Sequence, residues 1–300
     1  MDLLLRSTYL SAALSLLYIF LLYRSHPYRR LPAPATLLAF VVGMLSVVLV
    51  IAFRERVAIP PIDETLGALL AAAAVEEGAK LLAASVTVFR FRFPNVAEPL
   101  DIMLYLGIVG VGFGIYEDFW YIFATSYPSW IAGDPGRFAE VFRGIILARA
   151  LPGHILFNAI SGFLLGLAFF ARGRRRWMLG AAGIAAAVLL HAGFNLIAGW
   201  DQPLLLLTYA VILVGAFLGL RRWASGRSPF AAVIRHVEDA AAWTGERSAV
   251  SMLLAEGFAW PGKGRGGLFQ FYPVILSLCV LFPLLILGVY FTSRVLIALL

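Results

Sequence analysis

The chain has 300 residues, 61% of them apolar and 14% charged, with a net charge of +7 and a mean hydropathy of +0.88. Soluble globular chains run about 45–50% apolar and about 25% charged, so a soluble enzyme, a disordered chain and a soluble zinc-finger protein are excluded. Cys279 is the single cysteine, which removes the disulfide-stapled scaffolds as well.

A helix needs roughly 20 apolar residues to cross about 30 Å of hydrocarbon. Eight runs reach that length, at about 3–23, 32–53, 65–89, 100–126, 144–171, 177–199, 203–220 and 271–298. The sequence therefore predicts an all-α fold, a polytopic membrane helix bundle of about eight transmembrane helices. The first run is not a cleaved signal peptide, because its basic cluster (Arg24, Arg29, Arg30) follows the apolar stretch instead of preceding it. Residues 1–220 are expected to form a seven-helix membrane core. Residues 221–270 read as a cytoplasmic connector in which 231–242 can lie on the inner leaflet as an amphipathic helix. Residues 271–300 supply a C-terminal transmembrane helix.

Loop charges orient the bundle. The loops after odd-numbered spans carry Arg24, Arg29 and Arg30, then Arg90 and Arg92, then Arg172, Arg174, Arg175 and Arg176. The stretch after the seventh span adds Arg221, Arg222, Arg227, Arg235, Arg247, Lys263 and Arg265. The even-numbered loops hold only Arg54, Arg56 and Arg137, with Arg143 and Arg149 near a helix entrance. By the positive-inside rule the odd loops are cytoplasmic and both termini lie outside, as expected of a multi-pass protein of the plasma membrane. The basic balance then reflects topology and contact with anionic membrane lipids, and no nucleic acid is implied. His26 and His236 fall in cytoplasmic loops, are expected to be solvated, and receive no role.

The informative residues are polar groups far from any loop. The third span contains Glu76, Glu77 and Lys80, the fourth Glu117 and Asp118, the fifth Arg149, His154 and Asn158, and the sixth His191 and Asn195. A charge at the bilayer centre costs about 2.5–3.5 kcal/mol on insertion scales. Glu76, Glu77, Lys80, Glu117 and Asp118 facing lipid would together cost on the order of 12–18 kcal/mol, more than the stability of a typical domain. They must face one another or water, and intramembrane ionisable groups are functional candidates by default. Glu76 and Lys80 are four apart and are expected to pair, leaving Glu77 about 100° around the helix. Asp118 and Arg149 are expected to form a second structural pair. His191 and Asn195 share a helical stripe, and His154 and Asn158 repeat the spacing. Four spans thus aim polar groups at one depth, just outside the midplane. Gly110, Gly114, Gly162, Gly166, Gly180 and Gly183 are expected to let helices pack closely, with Gly110, Gly112 and Gly114 opening a cleft.

These residues resemble a known pattern. Glu76-Glu77-Gly78-Ala79-Lys80 is similar to the EExxK motif of the PrsW family of intramembrane proteases. Phe113 to Glu117 resembles that family's second motif, His154 in its Arg-x-x-Pro-x-His context the third, and His191 with Asn195 the HxxxN fourth. The resemblance covers about residues 65–200. A more distant likeness is to the CAAX prenyl endopeptidases and their bacterial relatives, which show EExxxR and a histidine in the second motif. Lys80, one position earlier, and Glu117 align this chain with the PrsW branch, although many of its members have Asn where Asp118 stands.

The resemblance implies hydrolysis of a peptide bond in a membrane-anchored protein substrate such as an anti-sigma factor. Glu76, matching the leading glutamate, is assigned as general base for water. Glu117 and His154 are assigned to hold the water, Glu77 to orient, and His191 and Asn195 to stabilise the oxyanion. No cofactor is required by this reading. Zinc is the candidate metal, with Glu76, Glu117, His154 and His191 as its ligands, but there is no His-Glu-x-x-His pair. The alternative is a proton- or ion-coupled transporter built on the same buried groups, which would ordinarily show an internal repeat. None is found.

Overall fold

The computed structural model describes residues 2–28, 31–57, 65–86, 89, 96–200 and 202–231. Its helices are α1 (Asp2–Arg24), α2 (Ala33–Val57), α3 (Leu66–Val86), α4 (Pro99–Ile131), α5 (Pro135–Arg149), α6 (Gly153–Phe170), α7 (Gly173–Gly199) and α8 (Pro203–Gly226). No strand occurs among the described residues. The chain is an all-helical, multi-pass membrane protein: α1, α2, α4, α6, α7 and α8 are each long and apolar enough to cross a bilayer. We count α3 as the seventh crossing, since its 21 residues suffice at 1.5 Å each and its charges face inward. The expected eighth span, and the amphipathic 231–242 segment beyond Ala231, lie outside the described residues.

The fifth span departs from expectation. A single crossing over 144–171 is replaced by α5 and α6, separated at Ala150, Leu151 and Pro152. Proline lacks the amide proton that a helix interior requires and turns its preceding residue away from the α region. Here Pro152 caps α6 instead. His154 consequently sits in the first turn of α6, not a third of the way along a span. α4 runs 33 residues, or about 50 Å, and α5 folds back along its far end with Trp130 and Phe138 at 5.3 Å.

α4 is the axis of the bundle. Every residue from Leu100 to Ile115 is buried, the mark of a helix enclosed on all sides. Its neighbours approach at backbone distance where glycine leaves room. A Cβ on Gly112 would stand 2.0 Å from the Phe40 carbonyl oxygen of α2, and one on Gly110 would stand 2.4 Å from the His154 carbonyl oxygen of α6. Gly162 and Gly166 of α6 meet α4 backbone similarly, and Gly183 of α7 meets Leu165 of α6. Two expectations need correction. Gly180 has nothing within 4 Å of a Cβ position, and Gly112 packs against α2 instead of opening a cleft.

At the arginine-rich end, Arg221 Nε donates to the Ser25 carbonyl at 2.6 Å and the Tyr28 hydroxyl to the Ser225 carbonyl at 3.1 Å, joining α8 to the α1–α2 turn. His26, expected to be solvated, is buried. Its Nε2 lies 2.9 Å from Glu98 Oε1 and 3.4 Å from Asp101 Oδ1. Asp101 also accepts the Ala97 and Glu98 amides and closes a capping box at the start of α4. Burial alone would lower the pKa of His26, but the hydrogen bonds and charges of Asp101 and Glu98 outweigh it and raise the value above 6.5.

Candidate active site

At the other end of the crossing, α1, α2, α3, α4, α6 and α7 surround a cavity of about 120 Å³. Arg54, Glu76, Glu117, Asp118, His154, His191 and Asn195 line it, with Gly110 and Gly114 keeping the α4 wall low. Polar groups from four spans do converge, as their shared depth suggested.

The two adjacent glutamates take opposite roles to those expected from spacing. Lys80 does not pair with Glu76: its Nζ lies 2.5 Å from Glu77 Oε1, three residues away, with both side chains fully buried. Lys80 also stands 4.2 Å over the Phe113 ring, a favourable placement for a desolvated cation. Glu76 instead faces the cavity and takes a hydrogen bond from Arg54 on α2, 2.8 Å from Nη2 to Oε1. A contact between helices thus overrides the local i,i+4 preference, which is worth only a few tenths of a kcal/mol.

Behind the cavity the hydrogen bonds fix how the imidazoles are protonated. Glu77 Oε1 is 2.8 Å from His191 Nδ1, and a carboxylate can only accept, so His191 carries a proton on Nδ1 and turns its Nε2 to the cavity. That Nε2 faces Glu76 Oε2 at 3.6 Å, and Glu76 Oε2 is buried with no hydrogen-bond partner. His154 is arranged in the opposite sense. Lys80 Nζ lies 3.3 Å from His154 Nδ1, and an ammonium can only donate. Nδ1 therefore accepts, and Nε2 gives its proton to Glu117 Oε2 at 2.8 Å. The two rings stand perpendicular with centroids 4.8 Å apart, and Phe157 stacks on His191 at 5.4 Å.

Asn195 lines the cavity one turn beyond His191. Asn158, at the same spacing from His154, turns away and donates to the His154 carbonyl. Asp118 also lines the cavity. The side chain of Arg149, its expected partner, lies outside the described residues.

A family model described as PrsW family intramembrane metalloprotease matches residues 31–220. The chain belongs to the PrsW family. It is therefore an intramembrane protease, and its substrates are membrane proteins. No curated protein and no solved structure matches it.

The family description implies a metal, and the residues can be tested for one. Among the described residues near the cavity, Glu77, His154 and His191 offer donor atoms within 4.8 Å of one another. That group does not fit a divalent ion as arranged. The ammonium of Lys80 already stands against Glu77 Oε1 and His154 Nδ1, so a second cation would meet direct repulsion. On the cavity side, His154 Nε2 bears the proton given to Glu117, whereas a ligating nitrogen must be bare. His191 Nε2 and Glu76 Oε2 lie 3.6 Å apart on the cavity wall.

Two contributors were not found from the PrsW motifs. Arg54, expected in a loop, lies on α2, which runs three residues beyond it. Tyr18 of α1 lines the cavity and its hydroxyl donates to the Ala150 carbonyl at the break before α6. The only available signal for Arg54 was an arginine following an unbroken apolar run, which marks a helix end as readily as a loop.

Proposed function

We propose that this PrsW-family chain cleaves a membrane-anchored, anti-sigma-factor-like protein with a water molecule activated by Glu76, without a resident metal. The observation that carries the reading is the asymmetry of the glutamate pair. Glu77 is held behind the cavity by Lys80 and His191 on one oxygen, while Glu76 lines the cavity, with Arg54 on Oε1 and Oε2 3.6 Å from His191 Nε2. A water in the cavity beside this pair can give one proton to Glu76, turning its lone pair toward a substrate carbonyl.

In the proposed sequence Glu76 removes a proton as the water oxygen bonds to the carbonyl carbon. Arg54, on the other carboxylate oxygen, keeps Glu76 turned into the cavity. The developing oxyanion is met by the Asn195 amide, and the first turn of α6 directs its positive dipole end at the same space. His191, with its proton committed to Glu77, holds the water instead of donating to the oxyanion. Glu76 then returns the proton to the departing amine as the C–N bond breaks. Glu117 fixes the His154 ring, and Glu77 with Lys80 forms the rigid wall behind.

By the positive-inside rule the arginine-rich end is cytoplasmic, both termini are outside, and the cavity lies in the outer half of the plasma membrane. Comparing membrane proteomes of cells carrying the wild-type chain or Glu76→Gln tests the function. At least one membrane-anchored protein should accumulate uncut in the variant, with turnover reduced on the order of 10²–10⁴-fold, the usual contribution of a general base. Identical proteomes at equal expression would remove Glu76 from the chemistry.

A further inference from the structure

A second, larger cavity lies near the arginine-rich end, between α3, α6 and α7, with a volume of about 510 Å³. Its walls are apolar, including Leu81, Phe89, Ile102, Leu165 and Ile184, and among the described residues its one charged lining residue is Arg176. Ser85 also lines it, but gives its hydroxyl proton to the Leu81 carbonyl at 2.7 Å. Trp177, on the rim, is 78% exposed, as an aromatic at a headgroup boundary would be. Gly180 leaves the middle of the groove empty, since a Cβ there would meet nothing within 4 Å. Arg176 is three residues into α7 and Ile184 eight residues further. The groove therefore runs about 12 Å from headgroup level toward the membrane centre.

We propose that this groove binds one anionic glycerophospholipid, with its phosphate on Arg176 and one acyl chain lying past Gly180 against Leu165 and Ile184. The volume suits a small-molecule ligand. Among the described residues Arg176 forms no ion pair and no carboxylate lines the groove, and Arg172 stands just before the same helix end as its N-cap. Anionic headgroups are attracted to such a basic membrane end by about 1 kcal/mol per arginine. The site is separate from the catalytic cavity and does not depend on how that cavity works.

The test uses the full chain in nanodiscs of equal phosphatidylglycerol and phosphatidylcholine, released into native mass spectrometry to count retained lipid. About one phosphatidylglycerol per chain should survive, favoured over phosphatidylcholine about fivefold, the equivalent of one arginine. Arg176→Gln should erase the preference. Gly180→Leu, which fills open space without touching backbone, should remove the retained lipid. Gly219→Leu, equally unobstructed on α8, should change nothing. Equal retention of the two lipids, or retention unaltered by Gly180→Leu, would overturn the proposal. So would a Gly180→Leu variant that keeps its phosphatidylglycerol but stops cleaving a membrane-spanning substrate, because the groove would then be a peptide site.

Discussion

Two clusters in this molecule set carboxylates against imidazole, at opposite ends of the bundle. At the cavity, Glu76 and His191 face each other across 3.6 Å with an oxygen left unpartnered. At the arginine-rich end, His26 meets Glu98 at 2.9 Å and Asp101 at 3.4 Å, all three buried, and Asp101 is further spent on backbone amides. The chemistry of the side chains is the same, but Glu76 and His191 line a cavity, whereas His26, Glu98 and Asp101 are buried. What separates the two clusters is access to a cavity, not the type of side chain. At the cavity the same difference falls between adjacent residues: Glu76 lines the open space and Glu77 does not.

The largest effect that separates the two kinds should come from Lys80→Met. It strands Glu77 as a buried carboxylate beside His191, and breaking a buried pair costs about 3–5 kcal/mol. Thermal unfolding in detergent should show the loss together with loss of cleavage. A fully stable variant would mean that Glu77 is not held by Lys80. A smaller effect is expected at the other end. His26→Gln removes a charge-assisted contact worth about 1.5–3 kcal/mol and should lower the melting temperature while leaving cleavage per folded molecule unchanged.

That cluster also has a pH signature. The folded pKa of His26 is raised above 6.5, so its contribution is fully present below about 6.5 and is lost as pH rises through the folded value. Stability of the wild type should therefore step down on the alkaline side, and His26→Gln should remove the step. A step of unchanged size in the variant would assign it elsewhere. The smallest effect is expected from metal removal: stripping divalent ions with a chelator should leave cleavage within about twofold, since no ligand set need be deprotonated. Loss of activity restored by zinc, with near one zinc per chain, would mean that the Lys80 arrangement rearranges around a metal.

Much of this organisation is legible in the amino-acid sequence, and the parts that are not have physical reasons. Six of the expected spans appear as single helices, and the fifth in its second part as α6, because a run of about 20 apolar residues has few other stable states in a bilayer. Glu76, Glu117, His154 and His191 were legible as a group because each is costly alone. The partner of Lys80 was not, since the choice between Glu76 and Glu77 is made by Arg54 on another helix. The break before α6 was hidden by apolar continuity from 144 to 171, even though Pro152 and Gly153 mark it. The burial of His26 left no trace, because turns carry no periodicity from which a buried face can be read.

The central claim is that a cavity in the outer half of the membrane, with Glu76 at its wall, is where peptide bonds are cut. The most direct measurement is the position of the cut itself. Purified wild-type chain would be incubated with a membrane-spanning substrate in nanodiscs, and the new termini mapped by mass spectrometry beside a Glu76→Gln control. We predict termini in the outer half of the substrate's membrane segment or the few residues just outside it, faster cutting when Gly or Pro is placed there to unwind the helix, and no product from Glu76→Gln. Termini on the side of the arginine-rich end, or the same products from Glu76→Gln, would contradict the account.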